Sequence, residues 1–248
     1  MVTHPDPAVP YPDVAARGSF AAALLAIAEE CGLSVPFTVS ESQPLMHTSV
    51  ASTLPHRGGL SIGAAAVDRW WSIWGTDSFQ KLALIDGRTT DLAELVHAAH
   101  AWHNGWALSE IRRAAPFVHL TGRFEVPDFD PAGLAESEWQ HLRTDASEID
   151  YLRTAHQPLI EAVYAEPHLR SLYPFTSHWV LRFSATTRPY LSVVGPCIVA
   201  YSTNSYTVSR DFLGEHVLAQ TTTAEEAVAA AVRHFPPNLG PVTCGTSK

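Results

Sequence analysis

The chain has few cysteines, few charges of positive sign, and no long apolar run. Each shortage removes a class of protein. Three cysteines in 248 residues, Cys31, Cys197 and Cys244, form no CxxC pair. Disulfide scaffolds and cysteine-rich metal knuckles are therefore not expected, and the thiols read as reduced. Cys197, in the apolar run VGPCIVAY, reads as an inert buried thiol rather than a nucleophile. Lys and Arg number 16 against 25 Asp and Glu, a net charge of −9. No basic block exists, and phosphate contacts dominate nucleic-acid binding, so no nucleic-acid partner is expected. The most apolar stretch, FAAALLAIAEECGL, is shorter than the roughly 20 apolar residues a membrane span requires. It has no basic region ahead of it and is a poor signal peptide, which suggests a cytoplasmic protein. The motifs of nucleotide and hydrolase chemistry are missing as well: there is no P-loop, GxGxxG, GxSxG, HExxH or kinase signature.

What is present is ordinary globular material, 46% hydrophobic and 17% charged, long enough to bury a core without staples. Residues 1–12 carry four prolines and read as a flexible N-terminal arm. A helix is expected from Asp13 to Cys31, stopped by Gly32. Strand-like segments follow: LSVPFTVSES, MHTSVASTL, LSIGAAAV, RWWSIWGTD, and KLALIDGRTT with an Asp-Gly turn at its end. Asp91 and Glu94 announce a helix to His103, closed by Asn104-Gly105. A short helix ends at Pro116, and FVHLTGRFEV is a strand. ASEIDYLRTAHQPLIEAVYAEP predicts one long helix, kinked at Pro158. HWVLRFSATT, YLSVV, a hairpin about Thr203-Asn204-Ser205 and EHVLAQT are strands. TTAEEAVAAAVRHF is a strongly capped helix.

Hairpin-like strands and separate helical blocks argue an α+β fold, mostly antiparallel, with helices packed on one face. The expected divisions are an arm (1–12), an N-terminal half (13–130), a C-terminal half (131–240) forming one compact unit with the first, and a tail (241–248). Two phrases echo each other: IRRAAPFVHL and LRSLYPFTSH. Each places an arginine, Arg112 or Arg170, four residues before Pro-Phe. The echo allows two related α+β halves, although reuse of a common helix-to-strand joint is the plainer account.

Candidate chemistry is sparse. His97, His100 and His103 share a helix face at three-residue spacing. Glu94–His97 and Glu138–His141 are Glu-x-x-His pairs of the kind that bind two irons in helical bundles. That arrangement needs two further glutamates on long helices, so surface or capping roles are preferred and no metal or cofactor is expected. Trp70, Trp74, Trp102 and Trp106, with His100, are the candidates for an aromatic substrate-binding cleft, although core packing is the commoner fate of tryptophan. Ser177 and His178 should face opposite ways on a strand, which removes them as a nucleophile–base couple. His178 remains as a general acid or base, Arg170 as an anion-steadying group, and Tyr206 as a nearby hydroxyl.

Three longer phrases, LIDGRTTDLAELVHAAHAWHNGWALSEIRRAAPFV, PHLRSLYPFTSHWVLRFS and GEHVLAQTTTAEEAVAAAVRHFPPNLGPVTCG, resemble an uncharacterised bacterial family. Its members are known only as natural product biosynthesis proteins of unknown function and occur largely in high-GC soil bacteria. The likeness spans roughly residues 65–245. It rests on Asp86, Gly87, Trp102, Gly105, Pro116, Phe117, Arg170, Pro174, Phe175, Ser177 and His178, mostly turn and packing types. The resemblance implies a setting: a small protein serving a biosynthetic cluster, acting on a peptide or small-molecule intermediate, with other pathway enzymes as potential partners. It brings no catalytic residues. The expectation is a cofactor-independent tailoring enzyme, a cyclase or isomerase, with a non-catalytic binding module as the alternative.

Overall fold

The computed structural model describes residues 8–150 and 154–246. It is α+β, and it divides into two compact units at Thr121–Gly122. Each has its own core.

In the first unit, apolar residues at period two along the strands set the inner face of the sheet. Leu60 and Ile62 on β3 (Arg57–Ala64) and Trp71 and Ile73 on β4 (Trp71–Asp77) are fully buried, while Ser61 and Trp74 point outward. A period of two places the apolar side chains on one face, although Ser72 on the other is also buried. With β1 (Thr38–Val39), β2 (His47–Val50), β5 (Ala83–Thr89) and β6 (Val118–Leu120), these form a six-stranded meander in sequence order. Helices α1 (Pro12–Ala16), α2 (Phe20–Glu30), α3 (Leu92–His103) and α4 (Leu108–Ala114) contribute the rest of the core.

The expected single helix from Asp13 is two. Gly18 takes φ +80° and Ser19 caps α2, its Oγ accepting from Ala22 N at 3.1 Å. Most of the expected N-terminal arm, residues 1–7, lies outside the described residues. At residue 11 the chain is anchored: Tyr11 is buried, and its hydroxyl lies within 2.9–3.0 Å of the carbonyls of Ala65, Asp68 and Trp70. The Asp-Gly turn expected at Asp86-Gly87 is not a turn. Both residues lie inside β5, paired with His119 and Val118 of β6. Gly87 is needed there because a Cβ would come within 2.7 Å of the Phe117 carbonyl oxygen.

The second unit opens with α5 (Pro131–Glu148), α6 (His156–Ala165) and α7 (Pro167–Arg170). The long helix expected from Ala146 is broken: α5 stops at Ile149, and Pro158 sits in the first turn of α6, where a missing N–H costs nothing. Residues 151–153 of that expected helix lie outside the described residues. Five strands follow as a second antiparallel meander: β7 (Tyr173–Ser177), β8 (Val180–Ser184), β10 (Val193–Ser202), β11 (Ser205–Ser209) and β12 (Val217–Thr221). The short β9 (Thr186–Pro189) instead pairs in parallel with β13 (Thr243–Gly245). Helix α8 (Ala224–Val232) begins at Thr223, whose hydroxyl accepts from Glu226 N. Trp139, Leu159, Phe183, Ile198, Val208 and Ala227 are in the core between helices and sheet.

Both units place helices before a sequential antiparallel meander; in the first, α3 and α4 come before its last strand β6, and in the second α8 follows the meander and β13 pairs outside it. The sequence echo does not mark that correspondence. Pro116-Phe117 leads out of α4 into the last strand of the first meander, whereas Pro174-Phe175 lies within the first strand of the second. The shared phrase is a helix stop used at non-equivalent places.

Candidate functional site

The residues expected to carry chemistry are spread over the second unit. Arg170, at the end of α7, is half-exposed and directs its guanidinium at Glu136 Oε2, 3.2–3.3 Å away. The same carboxylate accepts from the Tyr164 hydroxyl at 2.5 Å and from Gln140 Nε2 at 2.7 Å. Arg143 and Arg170 both lie over the Tyr164 ring, 4.5 and 4.3 Å from its centroid. Arg143 is tied in turn to Glu161 at 2.8 Å. This network joins α5, α6 and α7. Burial pushes the Glu136 carboxyl up, but hydrogen bonds from Tyr164, Gln140 and Arg170 outweigh it and hold it below its ordinary value of 4.5. The folded state therefore binds a proton at Glu136 less readily than the unfolded chain. The stabilisation is complete above about pH 4.5 and is lost as the pH falls through the folded value. Urea titrations of the wild type and Glu136→Gln should show a stability gap at neutral pH that closes as the pH falls through the folded value. A gap independent of pH would contradict this.

His178 is not on a strand. It and Trp179 form the two-residue loop between β7 and β8, at φ +51° and +66°. Positive φ at both positions belongs to a type I′ turn, which normally selects Asn-Gly. Here two bulky side chains occupy it, at a cost of order 1–3 kcal/mol for each residue in the left-handed region. The turn also divides them: the His178 ring lies 6.0 Å from that of Phe212, and the Trp179 ring 6.1 Å from that of His156. Replacing the pair by Asn-Gly (H178N/W179G) should raise stability by about 1–2 kcal/mol, read as a higher urea midpoint with an unchanged slope. A lower midpoint would show that the side-chain contacts outweigh the backbone cost.

Tyr206 is buried in the core, its hydroxyl 3.3 Å from the Thr203 carbonyl. Its ring packs in the core of the second unit. No described contact joins Tyr206, Arg170 and His178, so the expected catalytic group is not assembled.

The tryptophans separate in the same way. Trp102 is fully buried; its Nε1 donates to the Gly58 carbonyl at 3.2 Å, and Arg57 lies over the ring at 4.8 Å. It is a core residue and not a pocket lining. Trp74 is about half-exposed on the outer sheet face, and Trp70 is half-buried with Arg88 over its ring at 4.7 Å. Trp106 is exposed beside an open hollow of about 450 Å³ lined by Glu110, Arg113 and Ala114. His100 makes an edge contact with Trp106 and a 3.3 Å contact with the Ser34 carbonyl, and His103 meets the Ala51 carbonyl at 2.7 Å. The helix histidines thus serve separate partners. Among the described residues no group of three or more His, Cys, Asp or Glu is arranged to hold a metal.

A feature the sequence reading missed is a groove of about 780 Å³ between α6 and α8. Pro158, Ala162, Ala165, Val228, Ala229 and Val232 make its floor and walls apolar, and Glu161, Glu166 and Glu225 rim it. Small residues at the facing positions of both helices open the space. Glu161 is shared with Arg143, and Glu166 caps α7. Glu225, in the first turn of α8, has no ion-pair partner among the described residues. The signal was available in the alanine-rich, glutamate-bearing faces of both helices, but nothing local says that they lie side by side.

Residues 133–246 match the model of a family of unknown function, DUF6193. The match covers most of the second unit, with the groove, the Arg170 network and the hairpin of His178. No curated protein and no solved structure shows significant similarity to the chain. Among the described residues no helix is long and apolar enough to cross a membrane.

Proposed function

We propose that the protein is a binding module that holds a basic, amphipathic segment in the groove between α6 and α8. The observation that supports this is the pairing of an apolar floor with a rim of three glutamates. An amphipathic helix laid in such a groove buries its apolar stripe and sets lysines or arginines against the rim. In a natural-product setting, the segment would belong to a precursor peptide or to a partner enzyme. The expected catalytic residues Arg170, His178 and Tyr206 do not line this groove, which favours holding over conversion.

The test is calorimetric titration of the protein with a leucine–lysine peptide of about four helical turns, beside a leucine–glutamate peptide of the same pattern. The basic peptide should bind and weaken with salt, and the acidic one should not bind. Glu225→Lys should lower affinity by about tenfold or more, roughly 1.4 kcal/mol. Ala229→Trp, which plugs an exposed point of the floor, should abolish binding. Equal binding of both peptides, or none of either, would overturn the reading. Mass spectrometry of a pathway intermediate incubated with the protein decides against it in another way: a changed mass would establish the tailoring enzyme instead.

A further inference from the structure

Arg182 is in the wrong place for an ordinary surface arginine. It lies on β8, half-buried, with its guanidinium 5.2 Å from the Phe175 ring and 5.6 Å from the Phe212 ring. Its Nε is closed off from solvent and has no acceptor. No carboxylate forms an ion pair with it among the described residues. Asp211, on the loop after β11, is already committed: its oxygens accept from Glu215 N at 3.0 Å, His216 N at 2.9 Å, and meet His216 Nδ1 at 2.7 Å. The thiol of Cys197 hydrogen-bonds the guanidinium, and burial pushes that thiol up. Cation–π contacts offset part of the desolvation of a guanidinium, by about 0.5–2 kcal/mol. They do not supply the acceptor that a shielded N–H requires.

The surroundings supply the rest of a recognition site. Phe175 pairs directly with Arg182 across the β7–β8 ladder, and Ser177, two residues on, shares that face. The turn then presents His178 toward Phe212, with the Ser177 hydroxyl 3.4 Å from His178 Nδ1. The guanidinium, whose Nε has no acceptor, stands with a hydroxyl and an imidazole that bond each other, around two phenyl rings. The unfavourable turn conformation is explained if His178 must be displayed there, since Asn-Gly would remove it.

We infer that Arg182, with Ser177 and His178 of the hairpin tip, binds the oxyanion of a small organic ligand, a carboxylate or a phosphate. The fork geometry of arginine suits either group. This site is separate from the α6–α8 groove and stands or falls independently of it.

Benzoate, phenyl phosphate and inorganic phosphate are the probes, with thermal denaturation as the readout. At a hundredfold excess over Kd, a bound anion should raise the melting temperature by about 5–10 °C. The order of the three probes distinguishes carboxylate from phosphate and shows whether the ring contributes. Arg182→Met should abolish the rise while leaving the ligand-free protein as stable as before, because it removes a charge without a counter-ion. His178→Asn keeps the turn and should weaken binding several-fold. Arg188→Met serves as the control: the Nε of Arg188 also has no acceptor, and its loss should leave the rise intact. No rise with any probe, or an equal rise in Arg182→Met, would overturn the inference. So would strong destabilisation of ligand-free Arg182→Met, which would make Arg182 a packing residue.

Discussion

Trp102→Ala is expected to cost about 3–5 kcal/mol, enough to unfold the first unit under mild conditions. The indole is fully buried, and its shape is written into the sheet beneath it. Gly75 of β4 has no side chain because a Cβ there would sit 2.5 Å from the Trp102 ring. Above, Arg57 covers the indole at 4.8 Å and donates from Nη2 to the Trp106 carbonyl at 2.7 Å. Truncation would leave a void between a glycine that cannot fill it and an arginine left on apolar surface. Hydrogen exchange of β3 and β4 amides is the measurement. Their protection should collapse in the variant, and an additional Gly75→Ala change, which fills part of the void, should restore some of it. Unaltered protection would mean that Trp102 is the ligand-facing residue its sequence context suggested.

Trp139→Ala should destabilise the second unit by a similar amount, about 3–5 kcal/mol. This indole is also fully buried, 5.9 Å from the Tyr164 ring and 6.4 Å from Phe183. Its Nε1 donates to the Arg170 carbonyl at 3.0 Å. It therefore holds the end of α7 at the point where the chain turns into β7. Trp139→Phe separates the two roles. It keeps an aromatic ring and leaves the carbonyl without its donor, so it should cost about 1 kcal/mol. Urea midpoints of the two variants give the comparison. A phenylalanine variant as unstable as the alanine one would place the whole effect in the hydrogen bond.

The elements that were legible share one property: their causes are local. Asp91 and Thr223 cap α3 and α8 as their side chains predict. Within β4, Trp71 and Ile73 are buried and Trp74 is exposed, as a period of two places them. The misread positions depend on distant residues. Gly87 looks like a turn glycine and is a strand glycine, because Phe117 crosses it. His178 and Trp179 lack the Asn-Gly signature of the turn they form. Arg182 reads as the polar member of an alternating strand. Only the fold shows that Phe175 and Phe212 enclose it and that Asp211 is engaged elsewhere.

The outer strands of the first sheet limit how a partner can approach. β1 has two residues and β6 three, whereas the long strands β3, β4 and β5 are interior. A guest strand needs a row of free N–H and C=O groups, and edges this short offer very few. In the second sheet the β7 edge carries Pro174, which has no N–H to give. These three edges discourage both runaway pairing between copies and recruitment of an extended peptide as an added strand; β12, five residues without proline, is the longer edge left for such pairing. Along the first sheet partners must instead be read by side chains, which places the burden of specificity there on charge and shape rather than on backbone pairing.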